Sequence, residues 1–270
     1  MKRYSTLLRL VCALGLVGSA VAQTPTATAA TGYPFQLALV SPVAILSDSS
    51  SVNGLRINLI YGANENMTGV DIGLANQVNK DQKGLQLGVV NLVGENVTGG
   101  QLGGINFVSG NVSGGEMAVI NLVGGNLSGT EAGLINFTCG NLSGYDYGIL
   151  NLVGGNVAGL EIGLLNMAGG NVAGSQAGGI NAAGGAVDAQ FGFVNVGLEG
   201  AGWQTGAINW ADKVDGAQWL GINIASEVKG LQLGAINYTV KLDGLQIGVI
   251  NIAWGKDSIW KVLPIVNANW

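Results

Sequence analysis

Four carboxylates, Glu116, Glu131, Asp146 and Glu161, stand 15 residues apart, and they are the side chains whose type and spacing come closest to suggesting chemistry. If copies of a 15-residue unit stack as parallel strands, the four form a column with about 5 Å between neighbours. Two unit charges so placed repel by about 1 kcal/mol in water, and by several times more at an effective dielectric of about 20. Such a column either stays hydrated as an acidic stripe or is neutralised. Hard divalent cations, Ca²⁺ above all, favour oxygen ligands of this kind. Glu116, Glu131, Asp146 and Glu161 are therefore the candidate metal ligands, and no other cofactor is expected.

Other chemistries find little support. The chain has no histidine, and Cys139 has no partner base, so it reads as a small buried filler. A carboxylate pair is the remaining formal route to acid–base catalysis. Glycine-rich stretches such as "GGNVAGL" (154–160) lack the lysine of a phosphate-binding loop. No catalytic or cofactor-binding residue is assigned, and the chain reads as a non-enzyme. The tripeptides starting at Asn96, Asn111, Asn126 and Asn141 match glycosylation acceptors, but they recur because the unit recurs, which makes them structural corners. Trp203, Trp210, Trp219, Tyr238 and Trp254 mostly take apolar repeat positions and read as core filling, with an exposed platform for sugar or protein as the alternative.

The elements that must position these residues are the repeats themselves. Asparagines fall at 76, 91, 106, 121, 136, 151, 166 and 181, and then, one residue closer, at 195, 209, 223, 237 and 251. Tyr61 holds the same place one unit earlier. Five residues before each asparagine stands Gln, Glu or Asp; seven before stands Gly in all but Asp188. Gly and Asn at this density argue against helix, and the apolar runs between them have strand length. A unit this short cannot bury its own face, so neighbours must stack.

The fold expected is all-β, a single-chain parallel β-solenoid of about 13–14 coils of 14–15 residues. A five-residue rhythm, seen in Gln101-Leu102, Asn106-Phe107 and Asn111-Val112, suggests three short faces per coil with the apolar member of each pair pointing inward. The asparagines would form a ladder along the axis. The alternative is an antiparallel outer-membrane β-barrel with one strand per unit. Antiparallel neighbours should alternate over about 30 residues, and no such alternation is visible.

Residues 1–22 read as a signal peptide, with Lys2 and Arg3 before an apolar run and Ala20-Val21-Ala22 at its end. Removing Lys2, Arg3 and Arg9 leaves 8 basic residues against 16 acids, a net charge of −8 that disfavours nucleic acid as a partner. None of the basic residues lies between Lys83 and Lys213. Residues 23–32 read as a flexible linker, 33–60 as an N-terminal cap and first strand, 61–256 as the repeat solenoid and 257–270 as a C-terminal cap.

The stretches "GLRINLIYG" (54–62), "GVDIGLANQ" (69–77), "GLQLGVVNLV" (84–93), "GLQLGAINYT" (230–239) and "GLQIGVINIA" (244–253) carry a resemblance. The chain resembles the bacterial surface-repeat proteins of leptospiral type, over about residues 33–270, and more distantly the curli subunits through their Gln-x-Gly-x-x-Asn spacing. The first resemblance implies export to the cell surface or outer membrane of a Gram-negative-type bacterium and transfers no catalytic residue. The expected function is that of an exported surface repeat protein with a structural, adhesive or interaction role, and the alternative is an outer-membrane barrel or pore. The expected partner is a protein or glycan at the cell surface, with membrane association open.

Overall fold

The computed structural model describes residues 32–255 and 260–270. The leader, all of the linker but Gly32, and the start of the C-terminal segment lie outside the described residues. Two compact units divide at Gly148 and Ile149.

The first unit holds β1 (Tyr33–Val40), β2 (Val43–Ala44), β3 (Val52–Asn64), β4 (Met67–Val78), β5 (Gln82–Leu87), β6 (Val90–Val93), β7 (Val97–Leu102), β8 (Ile105–Val108), β9 (Val112–Met117), β10 (Ile120–Val123), β11 (Leu127–Ala132), β12 (Ile135–Thr138) and β13 (Leu142–Tyr147). Successive turns pair in parallel with a step of 15 residues. Gln101 lies against Gln86 and Glu116, and Asn121 against Asn106 and Asn136. This is a β-solenoid. The parallel pairing excludes the antiparallel barrel.

The second unit holds β14 (Leu150–Val153), β15 (Val157–Ala168), β16 (Val172–Ala183), β17 (Ala186–Gly197), β18 (Gly200–Thr205), β19 (Ile208–Trp219), β20 (Ile222–Ala253) and β21 (Val262–Asn269). It is built the same way. The step falls from 15 to 14 between β16 and β17, where Val172 still faces Val187 but Ser175 faces Ala189. The lost residue shortens the corner at Asp188, whose carboxylate accepts a hydrogen bond from the Gly174 N–H at 3.0 Å. Most later pairs keep the shorter step, so stacking continues. β21 turns back antiparallel along residues 244–252 of β20.

The interior reverses the expected phase on two of the three faces. Gln101 is 2% exposed while Leu102 is 48% exposed, and Asn106 is fully buried while Phe107 is not. Only the third pair follows the expectation, with Val112 inside and Asn111 outside. A turn of this kind thus sends two polar side chains and two apolar ones inward, as Gln101, Asn106, Val97 and Val108 do. The physical reason is stacking: an amide both donates and accepts, so a column of identical amides satisfies itself, and a buried amide without partners would be costly. The branched side chains that a two-residue strand period then turns outward stay exposed, among them Val89, Val119, Leu134 and Leu164.

Two glycine positions make room for this interior. Gly114 has φ 141°, and a β-carbon there would sit 1.8 Å from the Gly99 carbonyl oxygen of the preceding turn. A β-carbon on Gly103 would come within 2.8 Å of the side-chain amides of both Asn106 and Asn91. Tyr61 does not hold the asparagine place. A register shift between Asn58 and Tyr61 sets Gly62 opposite Asn76, and the Asn58 side chain supplies the missing amide.

Candidate functional site

The asparagine column is a one-way ladder. In the first unit each Nδ2 donates to the Oδ1 of the next turn, from Asn58 through Asn76, Asn91, Asn106 and Asn121 to Asn136, at 2.9–3.0 Å. In the second unit the same direction runs from Asn151 to Asn251 at 2.7–2.9 Å. The second N–H of most of these amides goes to a backbone carbonyl of the following turn, as from Asn121 to Ala132 at 3.1 Å.

The glutamine column runs the opposite way. In the second unit Gln246, Gln232, Gln218, Gln204 and Gln190 each donate Nε2 to the preceding turn's Oε1 at 2.8 Å, and Gln176 donates to Glu161 at 2.6 Å. A ladder of donors pointing one way must end on an acceptor, and Glu161 is that end. In the first unit Gln101 donates to Gln86, and Gln86 to Asp71 at 2.9 Å. Asp71 is gripped from its other side by Arg56, through Nε at 2.7 Å and a second guanidinium nitrogen at 2.5 Å. Both groups are fully buried, and Arg56 also donates to Asn64 and to the Gln77 carbonyl. Sequence reasoning missed this pair. Its signal was Arg56, which takes the Gln/Glu/Asp place opposite Asp71.

Glu116, Glu131 and Asp146 take this interior place in the first unit and Glu161 takes it in the second, and all are buried. The expected hydrated stripe is therefore corrected: strand alternation turns the position inward with the glutamines. Glu116, Glu131 and Asp146 are register neighbours on β9, β11 and β13. Asp146 accepts from Asn136 Nδ2, and Glu131 accepts from Thr138 Oγ1 at 3.1 Å. Burial pushes the Glu116 carboxyl well above the ordinary carboxylate range. Glu131 is pushed up first by burial and then by the Glu116 charge. Glu161 is pushed up to about 7 by burial, against the opposing hydrogen bond from Gln176. Among the described residues, no three His, Cys, Asp or Glu side chains gather as a metal-holding group.

The remaining candidates lie outside. Asn96, Asn111, Asn126 and Asn141 are exposed corner residues forming their own ladder, each of the last three donating its backbone N–H to the side-chain oxygen one turn back at 2.8–3.0 Å. The core-filling reading of the late aromatics is corrected: none of them is buried, Trp203 is 39% and Trp254 57% exposed, and Trp203 stacks on Trp219 at 5.5 Å. Trp203, Trp210, Trp219 and Tyr238 flank inward Gln and Asn residues, and Trp254 follows the inward Ala253, which turns these rings out. Cys139 is half-buried beside a corner, not part of the core. Among the described residues no helix is long and apolar enough to cross a membrane.

Compared with protein-family models, with curated proteins and with solved structures, the chain finds no match.

Proposed function

We propose that the chain is exported and serves outside the cytoplasm as a non-enzymatic structural and adhesive repeat protein at the cell surface or outer membrane. One observation carries this reading: a sealed amide interior combined with a regular, uncharged aliphatic exterior. Leu74, Val89, Val119 and Leu134 recur at the same outward position of the first unit and each is more than half exposed. Extended exposed apolar surface of this kind marks an interaction site. An aliphatic surface suits a protein partner better than a glycan, which needs hydrogen-bonding side chains and aromatic platforms. The leader-like residues 1–22 and the likeness of the GLQLGxxN repeats to leptospiral-type surface proteins supply the location in this proposal.

The test is expression of the full chain in a Gram-negative host, followed by fractionation and protease treatment of intact cells. The reading expects cleavage after Ala22 and recovery outside the cytoplasm, with retention of purified protein on a hydrophobic-interaction matrix that falls sharply in Val119→Glu and Leu134→Glu. An uncleaved cytoplasmic chain, or retention unaffected by both substitutions, refutes it.

A further inference from the structure

The glutamine ladder of the first unit contains a stretch with acceptors and no donors. Gln101 spends its Nε2 on Gln86, which leaves its buried Oε1 toward the next turn without a partner. In the second unit that same Oε1 accepts from the amide one turn on, as Gln176 does from Gln190. Here the residue one turn on is Glu116, and neither of its buried oxygens has a donor. Glu131, next in register and in hydrogen-bonding reach of Glu116, has one oxygen held by Thr138 and the other without a donor. Four buried acceptor atoms in three consecutive turns need hydrogens that no side chain or backbone group supplies. Buried acceptors left so are rare and costly.

The charged and titratable groups around this stretch are few. Glu116 on β9 faces Gln101 on β7 and Glu131 on β11; Glu131 faces Asp146 on β13 and Thr138 on β12. Arg56 is the buried cation of the column, and Asp71 already takes it. Thr138 is itself informative, because it stands in a column otherwise filled by Val78, Val93, Val108 and Val123, and its hydroxyl is turned to Glu131.

We propose that Glu116 and Glu131 form a two-proton site: both are held as carboxylic acids, Glu131 donating to Glu116 and Glu116 donating to Gln101. The two protons complete an unbroken run of donors from Thr138 through Glu131, Glu116, Gln101 and Gln86 to Asp71, where Arg56 balances the one remaining charge. The raised proton affinity that burial confers on both carboxyls agrees with this arrangement. Loss of the protons would leave two adjacent charges in the interior with no cation beside them, so the first unit carries a built-in sensitivity to rising pH.

The test uses infrared and carboxyl-carbon NMR spectra of the full chain, with wild type, Glu116→Gln and Glu131→Gln compared from about pH 5 to pH 8. In wild type Glu116 and Glu131 should keep the protonated signature at neutral pH, beside the partly protonated Glu161 that titrates near 7, and one of the first two signals should disappear in each variant. A glutamine at either position supplies the donor the ladder needs, so both variants should fold and lose part of the fall in thermal midpoint that wild type suffers as pH rises. The wild-type spectrum decides by itself if a variant fails to fold. Glu116 and Glu131 both ionised at neutral pH overturn the proposal, as do protonated signatures unchanged in folded variants. A wild-type midpoint raised by millimolar Ca²⁺ and indifferent in both variants also overturns it, because the site would then take a divalent cation.

Discussion

Replacing Asn121 by alanine removes one rung of the buried amide ladder and tests whether that ladder holds the turns together. Asn121 accepts from Asn106 at 3.0 Å and donates to Asn136 at 2.9 Å and to the Ala132 carbonyl at 3.1 Å. Three hydrogen bonds at a net value of about 1 kcal/mol each, plus a further 1–2 kcal/mol or so for polar atoms left short of partners, give a loss of about 4–5 kcal/mol. Asn121→Asp should cost at least as much, since a carboxylate accepts from Asn106 but cannot donate to Asn136 or Ala132. Val119→Ala, two residues away on the exposed side, should cost less than about 1 kcal/mol. Urea unfolding followed by circular dichroism measures all three. If Asn121→Ala and Val119→Ala prove equally mild, the ladder is not a source of cohesion and the reasoning fails.

Other consequences follow from the same interior. Gln82 is fully buried in a column of Val52, Met67, Val97 and Val112, and neither of its polar side-chain atoms has a partner, so Gln82→Leu should raise stability by about 1–3 kcal/mol in the same urea assay. Arg56→Met strands the Asp71 charge and should cost about 3–5 kcal/mol, most of it recovered when Asp71→Asn is added. Glu161 holds its proton up to about pH 7 when folded and releases it near 4.5 when unfolded, so its contribution is full below about pH 4.5 and is lost as pH rises through 7. That loss amounts to about 3 kcal/mol, and Glu161→Gln should flatten this part of the pH–stability curve. Gly114→Ala should destabilise by at least about 2 kcal/mol, because the added methyl meets the Gly99 carbonyl and the backbone must leave its positive φ; thermal denaturation reports it.

The parallel stack was legible in the sequence because its signal was additive: thirteen asparagines at two fixed spacings leave one way to place like on like. The phase of each face was not legible. In a strand, adjacent residues point to opposite sides, so choosing Leu102 over Gln101 as the inward member flips the whole face. The rule that apolar residues go inside decided wrongly because a stacked amide finds its partners in its own copies, a property of the assembled column that no single unit displays. The same slip put Glu116, Glu131, Asp146 and Glu161 on a hydrated surface and the tryptophans in the core. Sharing a place with buried glutamines was the available clue to the carboxylates. Tyr61 was misplaced because the register shift after Asn58 breaks the count of 15 by one residue, and nothing in the local sequence marks it.

The most direct measurement is contact between side-chain amides in the intact chain, by NMR with asparagine labelled on nitrogen. The account predicts that the Asn121 amide exchanges magnetisation with Asn106 and with Asn136, and that strand backbones show cross-peaks between residues 15 apart running in the same direction. Asn121 isolated from both, or contacts between strands running in opposite directions, would contradict the parallel stack and the buried ladders built on it.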